Sequence, residues 1–269
     1  MNPRLKKHLG QHHLIRPEAC DPLIGFLDPG GHRVVEIGPG GGVLTGRLLD
    51  AGASVDALEV DTAWAFELAR SLRRRGLRVV VADAMQCDLS RLPPATLIAG
   101  NLPYQISTAL IELLLPLFEI FSRAAFLVQR EVAERLLAEP GSGEYGGLSV
   151  LTQASTRVSH LGLVRRGAFR PPPKVEGAFV GLEFRTPPLA ADEMPRFAGT
   201  VRLAFSQRRK MLRNALASGW GRKRAEGVLA EAAISPTARA QELTLADFLR
   251  LHQAASPLGP EPLGRPNRS

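Results

Sequence analysis

The chain has 269 residues, 45% of them hydrophobic, which is enough for one large domain or a large domain with a small companion. No stretch approaches the ~18 consecutive apolar residues of a membrane span, and the basic start MNPRLKKHLGQHH leads into no apolar segment, so neither a membrane protein nor a secreted one is expected. Lys and Arg number 34 against 26 Asp and Glu, and the resulting net charge of +8 produces a field that draws polyanions.

In chain order, RVVEI (33–37) is a short apolar strand that runs into a glycine-rich turn, and 43–52 reads as a helix closed by Gly52. A strand over 54–60, a helix over 64–76 and strands over 78–84 and 96–101 follow. Then come a helix over 107–118, a strand over 124–129 and a helix over 130–139. Strand and helix alternating with short connections specify an α/β fold, a parallel sheet with helices on both faces. Ligands on such sheets bind at the carboxyl ends of the strands, so the turns after residues 37, 59, 82 and 100 should share one crevice. GSGEYGG (141–147) reads as a loop. Two later strands, 157–164 and 177–184, flank the rigid segment FRPPPKV (169–175). Beyond residue 187 the strand pattern stops, and helix periodicity takes over in 199–219, 223–233 and 244–255. The expected division is therefore a domain over 1–186, a small helical domain over 187–255 and a disordered tail over 256–269. We find no internal repeats.

The turn EIGPGGGVLT (36–45) lacks Cβ atoms at Gly38 and Gly40, so a ligand can approach the backbone closely. Val43 stands where a dinucleotide fingerprint would place its third glycine, and no phosphate-binding lysine follows. About twenty residues on, Glu59 ends the second strand, where an acid can accept both ribose hydroxyls. Asp83 ends the third, placed to accept from an adenine amine. Either acid alone could instead cap the helix that follows; jointly they suit an adenosine across the crevice. An adenosine without phosphates beside a glycine turn points to S-adenosylmethionine. Cys20 and Cys87 have no Cys or His at ligand spacing, so reduced thiols are expected, with no metal.

The fourth strand ends in GNLPY (100–104). An adenine amine is a poor nucleophile because its lone pair is delocalised into the ring. The Asn101 side-chain oxygen and the Leu102 carbonyl could each accept one amine hydrogen and favour the tetrahedral nitrogen needed to attack a methyl sulfonium. Pro103 fixes φ and has no donor to compete, and Tyr104 offers a flat face to the base. The same letters also suit an Asx-type turn with a packed tyrosine. Phe169 is the candidate for the opposite face of the base, or else a loop anchor in the core. Positive clusters at Arg4, Lys6 and Lys7, at Arg73–Arg75, at Arg165 and Arg166, at Arg208–Lys210 and at Arg222–Arg224 read singly as solvated faces. Together they favour a nucleic acid partner.

In order along the chain stand KKHLGQHHL, VVEIGPGGGVLT, ALEVD, VVADAM, AGNLPYQIST, REVAERLLA with GSGEYGGLSV, FRPPPKVEGAF and AFSQRRKMLRNAL. The series resembles the ribosomal RNA adenine dimethyltransferases, in particular the bacterial group that acts on N6 of 16S rRNA adenosines. The resemblance covers about residues 4 to 252. It implies a Rossmann-like class I methyltransferase domain with a small all-helical C-terminal domain, and S-adenosylmethionine as methyl donor. It further implies dimethylation of two adjacent adenosines in a hairpin loop near the 3′ end of 16S rRNA, within an immature 30S subunit, by a cytoplasmic monomer. The family's cofactor contacts fall on His12, Leu14, Gly38, Glu59, Asp83 and Asn101, and its base-stacking aromatics on Tyr104 and Phe169. One departure stands out: the usual Gln-Asn-Phe-Leu is here Gln11-His12-His13-Leu14. Three alternatives remain open at this point. They are a 23S rRNA methyltransferase of the antibiotic-resistance type, a non-catalytic pre-30S assembly factor, and a nicotinamide-dependent oxidoreductase, which would need a phosphate turn this chain lacks.

Overall fold

A computed structural model describes Pro3, residues 12–190 and residues 192–256. Most of KKHLGQHHL and all but the first residue of the expected tail lie outside the described residues. The strands are β1 (His13–Leu14), β2 (Arg33–Ile37), β3 (Ser54–Glu59), β4 (Leu77–Val81), β5 (Thr96–Asn101), β6 (Phe121–Gln129), β7 (Thr156–Val164), β8 (Phe169–Arg170) and β9 (Gly177–Phe184). The helices are α1 (Asp21–Leu27), α2 (Val43–Asp50), α3 (Thr62–Ser71), α4 (Ser107–Leu114), α5 (Arg130–Leu137), α6 (Gly147–Ser155), α7 (Met194–Phe205), α8 (Leu212–Trp220), α9 (Arg222–Glu231) and α10 (Leu245–Ala255).

Seven strands form one sheet in the order β4-β3-β2-β5-β6-β9-β7. Neighbours from β4 through β6 run parallel. β9 lies antiparallel to both β6 and β7, a pairing that a short connection can make without a crossover helix. The central strands β2 and β5 are apolar because both their faces are covered: Val34, Val35, Leu97, Ile98 and Ala99 are all buried. Gly100 lets them approach, since a Cβ there would stand 2.7 Å from the Ile37 carbonyl oxygen. β3 lies on one side of β2 and β5 on the other, so the chain reverses direction across the sheet at this pair and leaves a crevice above their carboxyl ends.

The chain divides into two compact units. One holds the described residues through Leu137 together with Ser155–Thr186, and the other holds Ala138–Ala154 together with the described residues from Pro187 onward. The segment 138–154, read from sequence as part of the first domain, thus groups with the helical unit. Within that unit Tyr145 is buried and meets Phe205 edge-on, with centroids 6.2 Å apart. The Arg208 guanidinium donates to the carbonyls of Gly143 and Tyr145, so this arginine holds a loop in place. The continuous helix expected over 199–219 is broken between α7 and α8, where Met211 takes an extended conformation at the start of α8. α10 opens on a reciprocal capping box between Thr244 and Asp247.

Candidate active site

The turns after β2, β3, β4 and β5 line one cleft, as their places at the carboxyl ends of the strands require. At Gly40 the backbone takes a φ of +49°, and an added Cβ would stand 2.8 Å from the His13 ring, so only glycine fits. The Gly40 N–H donates to Glu59 Oε2 at 3.1 Å, and the Asp61 N–H donates to Glu59 Oε1 at 3.0 Å. Glu59 therefore pins the glycine turn to the end of β3. It is buried, and burial is the main reason its carboxyl titrates above the ordinary range. Asp83 Oδ1 accepts from the Met85 N–H at 2.9 Å and Oδ2 from the Gln86 side chain at 3.0 Å, both along the wall after β4.

The opposite wall is GNLPY. The Leu102 N–H donates to the Leu127 carbonyl on β6, and the Pro103 carbonyl accepts from Ile106 and Ser107 as α4 begins. Asn101 Nδ2 donates to the His12 carbonyl oxygen at 2.7 Å. A carbonyl can only accept, so the amide orientation is fixed and Oδ1 is left as an acceptor. Tyr104 is half-buried, its hydroxyl has no partner, and burial raises its pKa.

The structure brings His12, Leu14, Gly38, Glu59, Asp83, Asn101, Leu102 and Tyr104 together around the cleft. Phe169 is not among the residues that line the cleft. β8 pairs with β1, Phe169 opposite Leu14, and the phenylalanine ring lies buried in the core against Gly177. The expected face for a base is thus a core anchor in this arrangement: of the two residues of β8, Phe169 turns inward with its partner Leu14 while Arg170 faces out.

Two titratable residues of the cleft, His13 and Glu36, have no role among the expected site residues. His13 packs its ring on Trp64 with centroids 4.2 Å apart, and burial lowers its pKa, with His12 adding to the shift and Asp61 opposing it. Glu36 is 1% exposed, and its Oε2 has no partner. Burial pushes its carboxyl up to about 8, with Glu59 adding to the shift and Thr45 opposing it. The signal was available: an acid set among the valines and isoleucine of a fully buried strand needs a reason. Among the described residues no group of three His, Cys, Asp or Glu is placed to hold a metal, and no helix is long and apolar enough to cross a membrane.

A nucleoside fits these walls. Glu59, at the end of β3, lines the cleft, and the Tyr104 hydroxyl has no partner in the protein. A seven-stranded sheet in this order, with a glycine turn at a crevice beside the reversal point, defines the class I, S-adenosylmethionine-dependent methyltransferases.

Within that class the chain belongs to the ribosomal RNA adenine dimethylase family, whose profile, described as "Ribosomal RNA adenine dimethylase", matches residues 2–256. It is 40% identical over 267 residues to the ribosomal RNA small subunit methyltransferase A of Bordetella pertussis, covering 97% of this chain and 98% of that one. Against the protein of the same name from Methylococcus capsulatus the identity is 37% over 260 residues, covering 94% and 98%. Among solved structures, a dimethyladenosine transferase from Plasmodium falciparum superposes with a TM-score of 0.75 at 26% identity, covering 89% of this chain and 96% of that one. The 23S rRNA methyltransferase ErmE superposes with a TM-score of 0.66, also at 26% identity, covering 90% and 98%.

Proposed function

We propose that the protein dimethylates N6 of two adjacent adenosines in the 3′-terminal hairpin loop of 16S rRNA, acting as a cytoplasmic monomer on the immature 30S subunit. The observation that carries this reading is the fixed Asn101 amide, whose nitrogen is held by the His12 carbonyl while its oxygen stays an acceptor at the cleft. The small-subunit relatives at 37–40% identity support the choice of RNA.

S-adenosylmethionine, when bound, supplies an electrophilic methyl group. Leu14, Gly38, Glu59 and Asp83 would hold it, with Glu59 facing the ribose and Asp83 the adenine amine. The His12 side chain points to other partners, so residue 12 contributes through its backbone. Asn101 Oδ1 and the Leu102 carbonyl would grip the two amine hydrogens of the target base and draw its lone pair out of ring conjugation. Hydrogen-bond acceptors of this kind, held in advance, act where charge develops, so no strong base is needed. Neither acceptor retains a proton, so the one displaced at each transfer passes to water. Tyr104 would stack on the base, an interaction worth roughly 1–3 kcal/mol. Phe169 is buried in the core, so Tyr104 is the stacking residue this arrangement supports.

Methyl transfer onto undermethylated 30S particles, with the modified nucleotides mapped by mass spectrometry, tests the reading. Dimethylated adenosines in the 16S hairpin are the expected result. Methyl groups on 23S RNA with unmodified 30S particles would overturn the substrate assignment, and no transfer to either RNA would favour an assembly factor.

A further inference from the structure

The histidine pair is where this chain departs from its family's usual Asn-Phe, and the structure gives the two rings different surroundings. His13 sits over Gly40 and against Trp64. His12 turns the other way: its Nδ1 lies 2.9 Å from the Pro171 carbonyl oxygen, and its ring stacks on Tyr104 with centroids 5.7 Å apart and planes inclined at 29°. Because that carbonyl can only accept, Nδ1 carries the hydrogen, and in the neutral ring Nε2 is left as an acceptor.

Tyr104 has little else to hold its side chain. The hydroxyl is unpartnered, and the nearby Ser107 hydroxyl donates to the Tyr104 backbone carbonyl, which does not fix the ring. Resting on the function proposed above, we propose that the His12 side chain is a positioning residue, which tethers the Tyr104 ring to the Pro171 segment and keeps its face presented to the target adenine. The bond from Asn101 to residue 12 uses the His12 backbone and survives any side-chain change. Orientation of Tyr104 and orientation of Asn101 are therefore separable. Asparagine at this position would offer a donor and no ring, so the aromatic tether belongs to chains with His here.

Three variants dissect the tether. His12→Ala removes both contacts, His12→Phe keeps a ring against Tyr104, and His12→Asn keeps a donor for Pro171. For His12→Ala, single-turnover methyl transfer should fall about tenfold, as expected for an aromatic pair and a hydrogen bond together. Calorimetric affinity for S-adenosylhomocysteine should stay within about threefold, because cofactor contacts are untouched. His12→Phe should recover more of the rate than His12→Asn. Imidazole 15N NMR of the wild-type protein, which needs neither RNA nor turnover, should show the Nδ1–H tautomer for His12. An Nε2–H tautomer, or full activity in His12→Ala, would overturn the proposal. If instead the wild-type protein bound no S-adenosylhomocysteine and methylated no RNA, the functional reading itself would fall, a distinct outcome.

Discussion

The two walls of the cleft are built on opposite plans. On the glycine-turn side the polar groups close on one another: both Glu59 oxygens receive backbone N–H groups, and both Asp83 oxygens are engaged by their own turn. On the β5 side they are left open: Asn101 Oδ1 remains an acceptor, and the Tyr104 hydroxyl has no partner. A wall that only has to bind can be finished before the ligand arrives. A wall that has to meet a changing charge keeps its acceptors free, at a cost of roughly 1–3 kcal/mol for a buried unsatisfied group.

The sharpest way to break this contrast is Asn101→Ala. Methyl transfer in a single-turnover assay should fall by about 10²–10³, the range seen when one preorganised hydrogen-bonding group is removed from a reacting centre. RNA binding should be nearly unchanged. An intact rate would mean the open wall is not the reacting one.

Glu36 is the exception on the closed side, a buried acid with a free oxygen, and its effect falls on stability and not on the transfer rate. In the unfolded chain the carboxyl gives up its proton near the ordinary Glu value, 4.5, whereas in the fold it holds the proton up to about 8. The raised pKa means its contribution is fully present below the unfolded value and is lost as pH rises through the folded one. Glu36→Gln cannot ionise. At pH 9 it should exceed the wild-type protein by roughly 3–5 kcal/mol, and near pH 4 the two should match. Urea melts at both pH values would measure this, and parallel pH profiles would show that the carboxyl is solvated.

Glu59→Gln should weaken S-adenosylmethionine binding about tenfold to thirtyfold by calorimetry. It leaves one acceptor where the glycine turn and Asp61 now use two, and it puts an amide donor against a backbone N–H. If the maximal transfer rate fell further than the affinity, the division into a binding wall and a reacting wall would be wrong.

Much of this was legible in the sequence, for identifiable reasons. β5 was read at its actual boundaries because a strand covered on both faces is a continuous apolar run, and the crevice followed from strand–helix alternation. Segments without periodicity were not legible. β1 and β8 are two residues each, too short for any pattern, yet their pairing buries Phe169. The tether from His12 to Pro171 spans 159 residues of chain and has no local sign. GSGEYGG reads as a flexible loop by composition, but Tyr145 within it is a core residue of the helical unit.

Asp83 gives the smallest effect and tests the closed wall most directly. Its carboxylate caps its own turn through the Met85 N–H and accepts from Gln86, so the geometry of the turn does not depend on a ligand. Asp83→Asn keeps an acceptor for the Met85 N–H and replaces the second oxygen with a donor. That donor would face both the Gln86 amide and the adenine amine assigned to this position. The turn should survive, and affinity for S-adenosylhomocysteine should drop about threefold to tenfold, the net worth of one ordinary hydrogen bond. The same substitution should leave the adenine-free fragment homocysteine unaffected as a competitor. Equal losses for the nucleoside and the fragment would mean that Asp83 acts only as a cap, and that the adenine amine is met elsewhere in the cleft.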